Sequence, residues 1–295
     1  MSAVVVRFSS LGDVVLAGAV TAGLAPVTFV THARYAAVAA RLPGVERVVA
    51  LEEGIGALAR RLPRDVPRVD LHASPRSRAL ALRAGGSWCR VRRDVLGRHL
   101  RVAFKTAPGV GVVARYAAAA GVPAAPLPWI RSDGPRDALL VAPGSRWAAK
   151  RWPAARFAAV AAAWDGPVAV LGGPGEEDLC EAVASAAGPR AEPIAGLGFA
   201  GVLAVLGRGR VALGNDTGLA HLCAAAGVPT VVVFGATSSD DGFWDDRCTV
   251  VEADLPCRPC TRFGRSDCPV GDHRCMDLVA VDTVASAVGR AGGQG

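Results

Sequence analysis

No stretch of the chain is apolar over the ~18–20 positions that a membrane-crossing helix needs. The longest candidate, Val14 to Val30, is interrupted by Gly18, Thr21, Gly23, Pro26 and Thr28. A soluble protein is the expectation. Val4-Val5-Val6 has no basic leader ahead of it and no small-residue cleavage site behind it, so a secretory signal is not expected and a cytoplasmic location is. Aromatic residues are scarce, at 5%, and none form a stripe among the basic residues. With no RNA-binding module signature either, nucleic acid is not an expected partner. The glycines of Gly172-Gly173-Pro174-Gly175 lack the spacing of the dinucleotide fingerprint, which disfavours a nicotinamide dehydrogenase.

What is present is a chain of 295 residues, 51% of them apolar, enough for one large or two ordinary domains with buried cores. The net charge of +7 suits an acidic partner such as a phosphorylated sugar or an anionic lipid surface. The excess is concentrated between Arg60 and Arg115, where most of the cations read as solvated faces.

Short apolar runs alternate with segments of helical periodicity. The strands Val4–Phe8, Val27–Val30, Val45–Leu51 and Arg68–His72 are each followed by a helix, the first over Val14–Leu24. Four prolines interrupt the stretch from Gly121 to Pro135, which reads as a linker. Beyond it come strands Ala138–Ala142, Val168–Leu171, Val211–Leu213 and Thr230–Phe234. Helices Ala154–Trp164, Glu176–Ala187 and Leu219–Ala226 lie between them. This alternation predicts two α/β domains with parallel sheets, 1–134 and 135–295. Ligands of such sheets bind at the carboxyl ends of the strands.

Asp13 follows the first strand. It reads either as a helix N-terminal carboxylate or as a general base whose pKa partial desolvation moves toward the working pH. Ser145 ends the strand Ala138–Ala142 as a turn former or a ligand contact, and Lys150 and Arg151 are either placed to meet an anion or simply exposed. Glu176 and Glu177 suit ribose hydroxyls or an ordinary first helical turn. Gly214-Asn215-Asp216-Thr217-Gly218-Leu219-Ala220-His221 joins a strand to a helix. Its free amides around Thr217 and Gly218 make a diphosphate site, with Asp216 placed for sugar hydroxyls. His221 either faces the same pocket or packs on the sheet. Cys257, Cys260, Cys268 and Cys275 fall in one loop, 257–276, where a metal, packed thiols and disulfides all remain open. Four thiolates would suit zinc or iron. Cys89, Cys180, Cys223 and Cys248 stand alone and read as small buried hydrophobes.

Taken together, Ser9-Ser10-Leu11-Gly12-Asp13, Pro143-Gly144-Ser145, Lys150-Arg151-Trp152-Pro153, Asn215 to His221, Gly227-Val228-Pro229 and Phe234-Gly235-Ala236-Thr237 resemble glycosyltransferase family 9, the lipopolysaccharide heptosyltransferases. The resemblance implies a GT-B architecture, with two Rossmann-like doubly wound domains facing a central cleft, the acceptor against the first and the nucleotide sugar in the second. It implies inversion at the anomeric carbon without a catalytic metal, ADP-heptose as donor, and a lipopolysaccharide-core or other anionic glycolipid acceptor at the inner membrane surface. Asp13 would deprotonate the acceptor, and Lys150, Ser145 and the amides of Thr217 and Gly218 would stabilise the leaving diphosphate. Asp216 would hold the sugar, and Glu176 or Glu177 the nucleoside. The cysteine-rich segment resembles one with which a protein-modifying branch of the family holds iron, so a protein acceptor is the alternative. A nucleotide-sugar epimerase and a non-catalytic nucleotide-sugar or metal-binding module are the rivals from other classes.

Overall fold

The computed structural model describes residues 2–105, 109–196, 198–239, 248–261, 264 and 267–293. The chain divides into two units, one of Met1–Asp94 with Val110–Arg131 and one of Val95–Gly109 with Ser132–Gly295.

The first unit contains β1 (Ala3–Val6), β2 (Val27–His32), β3 (Val45–Leu51), β4 (Arg68–Asp70) and β5 (Cys89–Arg90) in a parallel sheet of order β3-β2-β1-β4-β5. The central strand β1 is fully buried and purely aliphatic after Ala3, as expected of a strand covered on both faces. Its helices are α1 (Leu11–Leu16), α2 (Gly18–Thr21), α3 (Ala36–Ala39), α4 (Ile55–Arg60) and α5 (Pro75–Ala84), while α6 (Val95–Phe104) belongs with the second unit and α7 (Val112–Ala120) returns to the first. The single helix expected over Val14–Leu24 is instead α1, α2 and a 3₁₀ turn at Ala22–Leu24. Its start moves forward to Leu11 because Ser10 caps it. The Ser10 amide and hydroxyl both donate to Asp13 Oδ2, at 3.1 and 2.7 Å.

The second unit contains β6 (Ala138–Ala142), β7 (Val168–Leu171), β8 (Ala191–Ile194), β9 (Gly209–Asn215), β10 (Thr230–Phe234) and β11 (Cys248–Glu252). They are parallel, in the order β11-β10-β9-β6-β7-β8. Around them lie α8 (Ala154–Ala162), α9 (Glu177–Ala187), α10 (Gly198–Val205), α11 (Gly218–Ala225), α12 (Arg274–Asp277) and α13 (Val281–Ala291). Lys105, just past α6, donates to the carbonyls of Cys257 at 3.0 Å and Pro259 at 2.6 Å, which ties this segment to the second unit.

In both sheets the strand order reverses beside the first strand, between β1 and β4 and between β6 and β9. These are the switch points at which doubly wound sheets bind ligands, outside the carboxyl ends of their strands.

Trp152, on the loop leading to α8, is the largest of the fully buried side chains. Its ring meets Phe157 edge-on at 5.0 Å and its Nε1 donates to Val279 O at 3.1 Å. Trp152→Ala is expected to lower unfolding free energy by about 3–5 kcal/mol through the cavity and the lost indole hydrogen bond. Chemical denaturation measures this, and a loss under about 1 kcal/mol would contradict it.

Candidate active site

At the switch point of the first unit, β1 runs out into Arg7 and Phe8 before the Ser10 cap. Asp13, one turn into α1, is ringed by donors. Arg7 meets its Oδ2 at 2.6 Å and Tyr116 Oη lies 3.5 Å from Oδ1. The Asp13 side chain keeps 30% exposure and Arg7 only 14%. Arg7 is anchored in turn by donation to Leu71 O at 2.6 Å, and its guanidinium lies 5.9 Å from the centre of the Tyr116 ring. Burial alone would raise the Asp13 pKa, but the Arg7 charge and the Ser10 donors outweigh it and hold the carboxyl below its ordinary value. The expectation that desolvation lifts Asp13 toward the working pH is thereby corrected: the carboxylate is kept ionised. The same burial, helped by the Arg7 charge, lowers His72 to about 4. That ring is therefore neutral at physiological pH, set edge-on against Phe8 at 5.3 Å.

The loop after β4 is fixed by Asp70, which is completely buried. It accepts from the amides of His72 and Ala73, from Ser77 Oγ at 2.9 Å and from Arg90 Nε at 2.9 Å. Asp70 holds His72 and the start of α5 in place beside the Asp13 pocket. Neither Arg7 nor Asp70 stood out in the sequence. The available signal was a lone charge ending or closing an otherwise buried central strand.

The second unit builds its switch point around Asn215, the last residue of β9 and fully buried. Its side chain donates to Pro143 O at 2.8 Å and accepts from the Trp152 amide at 3.0 Å. Both ends of the loop between β6 and α8 are stapled to β9 in this way. Within that loop Arg151 Nε donates to Ser145 O at 2.7 Å, and Ser145 is itself buried. Lys150 Nζ pairs with Asp216 Oδ2 at 2.5 Å, with side-chain exposures of 12% and 15%. Thr237 Oγ1 donates to the same oxygen at 3.0 Å. Burial would raise the Asp216 pKa, yet the charges of Lys150 and His221 lower it below the ordinary value. His221 thus lies within electrostatic reach of this carboxylate.

Just beyond, Thr217 caps α11 with an extended backbone, and its Oγ1 has no hydrogen-bond partner among the described residues. The first-turn amides that follow, at Gly218, Leu219 and Ala220, have no intrahelical acceptor and face the positive end of the helix dipole. Lys150, Thr217 and the α11 terminus together form a surface able to receive a diphosphate.

Glu176 folds back instead of projecting outward. Its Oε2 accepts from the Gly173 amide at 2.8 Å and its carboxylate fills the space where a Cβ on Gly144 would lie. Glu177 opens α9 beside it. Gly144→Ala is expected to drive Glu176 off the Gly173 amide and to lower unfolding free energy by about 1 kcal/mol, the worth of one hydrogen bond. Chemical denaturation measures this, and an unchanged stability would show that the Glu176 contact contributes nothing to the loop.

The thiols of Cys257, Cys260, Cys268 and Cys275 are all free, and their charges act on one another. Burial raises Cys260 and Cys275. Burial would also raise Cys268, but backbone amides from Val270 to His273 lower it instead. Among the described residues no group of three His, Cys, Asp or Glu side chains is placed to hold a metal ion. Residues 262, 263, 265 and 266 of this loop lie outside the described residues. What the loop does hold is the turn that follows β10. Arg258 donates to Gly235 O and Ala253 O, both at 2.5 Å, and pairs with Glu252 at 2.6 Å. The amides of Cys260 and Thr261 donate to Ala236 O. Thr237 follows directly. Cys180 and Cys223 are buried as expected, whereas Cys89 is exposed and Cys248 half-buried.

A family model described as glycosyltransferase family 9 (heptosyltransferase) matches residues 109–268, more than half of the chain. The chain belongs to glycosyltransferase family 9. Among relatives of known assignment, lipopolysaccharide heptosyltransferase 1 of Pseudomonas aeruginosa is 31% identical over 125 residues, 40% of this chain and 35% of that protein. The chain thus matches about a third of that relative's length. Among solved structures, a family 9 glycosyltransferase from Veillonella parvula aligns with a TM-score of 0.77 and 17% identity, over 100% of this chain and 98% of that one. The ADP-heptose lipopolysaccharide heptosyltransferase II of E. coli aligns with a TM-score of 0.76 and 18% identity, over 100% and 99%. These likenesses establish the fold as GT-B, with one doubly wound parallel sheet in each unit.

Both depressed carboxylates predict the acid behaviour of this family 9 chain. A carboxylate whose folded pKa is lowered contributes stability that is present above its unfolded pKa and lost as pH falls through the folded value. Stability is therefore expected to decline on acidification below the ordinary carboxylate range, and less steeply in Asp216→Asn. Urea midpoints measured across that range test this. Equal acid slopes in the two proteins would dissociate the Lys150 pair from acid stability.

Proposed function

We propose that the chain is an inverting glycosyltransferase that transfers heptose from ADP-heptose to a hydroxyl of a lipopolysaccharide-core acceptor. The observations that support this are an ionised, part-exposed carboxylate at the switch point of the first unit and, within the second unit, a cation beside a helix N-terminus. The first suits proton removal and the second suits a departing diphosphate. Asp13 Oδ1, which Arg7 and Ser10 leave uncovered and only the long 3.5 Å contact from Tyr116 Oη touches, accepts the acceptor's hydroxyl proton as its oxygen closes on the anomeric carbon. The carbon–oxygen bond to the β-phosphate breaks on the opposite face, so configuration inverts, and ADP leaves with the electron pair. Charge developing on that phosphate is met by Lys150, the Thr217 hydroxyl and the first amides of α11, with Ser145 and Arg151 shaping the loop beside them.

Asp216 orients Lys150 through Oδ2 and offers Oδ1 to a sugar hydroxyl. Glu176 and Glu177 lie at the carboxyl end of β7, where the ribose is held. Heptose and ADP are preferred because the E. coli structural relative uses ADP-heptose and the P. aeruginosa relative is a lipopolysaccharide heptosyltransferase. Incubation with ADP-heptose and a lipopolysaccharide-core acceptor should release ADP only when both are present. The acceptor should gain one heptose of inverted anomeric configuration, read by mass spectrometry and NMR. Release of ADP without acceptor, or retention of configuration, would contradict it.

A further inference from the structure

Helix α6 is turned inside out. Arg101 is buried to 6% exposure, whereas Leu96, Leu100 and Phe104 stand at 71%, 41% and 72%. These three recur every fourth residue and so lie on one face, one above the other. Val95, at 45%, adds to its N-terminal end. A helix of a soluble domain ordinarily turns that stripe to the core. Here the helix is held in the opposite sense, with Lys105 donating from its C-terminal end to the carbonyls of Val102, Cys257 and Pro259.

Cations outnumber acids along this segment. From Val95 to Lys105 there is no acidic residue, and the half-buried Asp94 directly before the helix is preceded by Arg92 and Arg93, both exposed. A second copy of the same face would bring these arginines against their own equivalents, at a repulsive cost. An anionic surface with an apolar interior satisfies both features. Leucine and phenylalanine enter the acyl boundary while the exposed arginines meet the headgroups.

We propose that α6 is a docking helix for an anionic lipid bilayer, lying in the plane of the interface with Leu96, Leu100 and Phe104 inserted. This surface is separate from the transfer chemistry and is tested separately from it. Full-length protein is floated with vesicles of phosphatidylcholine alone or phosphatidylcholine with phosphatidylglycerol. It is expected to bind only the anionic vesicles, and less as salt is raised. The variant Leu96→Ser/Leu100→Ser/Phe104→Ser is expected to lose binding by on the order of tenfold or more, and Arg92→Glu/Arg93→Glu to lose its salt-dependent part. Both should keep the wild-type affinity for ADP and the wild-type circular dichroism. Wild-type protein that stays free of anionic vesicles would overturn the assignment, as would a triple serine variant that binds them equally well. A triple variant whose only change is conversion of a dimer to a monomer in light scattering would give the face to a second copy instead.

Discussion

Asp13→Asn is expected to lower kcat by a factor of about 10²–10⁴, the usual contribution of a positioned base, with ADP affinity unchanged. Asparagine keeps the size of the side chain and one acceptor for the Ser10 amide, but it cannot take a proton. Arg7 loses its counter-charge while retaining Leu71 O and the Tyr116 ring, so a modest fall in stability accompanies the kinetic loss. The depressed pKa of Asp13 adds a second signature. A base already ionised throughout the physiological range imposes no acid limb on kcat near neutrality. Removing the Arg7 charge, as in Arg7→Gln, takes away the largest influence lowering that pKa and should move the acid limb upward. Full turnover in Asp13→Asn would exclude Asp13 from proton transfer. An acid limb that Arg7→Gln leaves unmoved would separate Arg7 from it.

Lys150→Ala is expected to weaken ADP binding by about 10–10²-fold, the worth of one charge-assisted contact, and to reduce kcat further because charge on the diphosphate grows in the transition state. It also strands Asp216, 15% exposed and left with the Thr237 hydrogen bond and the more distant His221 among the described residues. Breaking such a pair from one side costs roughly 3 kcal/mol of stability. The double variant Lys150→Ala/Asp216→Asn separates the two effects. Neutralising the stranded carboxylate should restore most of the stability but none of the ADP affinity. Recovery of affinity along with stability would reduce Lys150 to a structural role.

Much of this architecture was readable in the sequence. Strands β6, β7 and β10 fall on the expected residues because each is a buried aliphatic run bounded by proline, glycine or a polar turn. The edges were not readable. The edge strand β8 is half-exposed and carries Pro193, and β5 is two exposed residues long; neither leaves an apolar run to detect. Helix α6 escaped because its apolar face does not point to a core. Asp13, Lys150 and the turn at Thr217 were picked out because a strand end, a small-residue turn and a charge coincide there. Their partners were not, because each depends on distance through the fold. Asn215 reaches Pro143 and Trp152, 72 and 63 positions away, and the pairing of Arg7 with Asp13 requires the capped turn between them. The cysteines were legible as a cluster, and their thiol charges act on one another; that the same loop anchors Gly235 and Ala236 through Arg258 and its own amides was not legible.

The most direct test of the central claim is calorimetric titration of the purified chain, with thermal shift alongside, against ADP-heptose, ADP, UDP-GlcNAc, UDP and GDP-mannose. The account predicts that ADP-heptose and ADP bind and raise the melting temperature while the uridine and guanosine ligands do not. Preference for a UDP or GDP ligand would contradict the assigned donor, and absence of binding by all five would contradict the transferase itself.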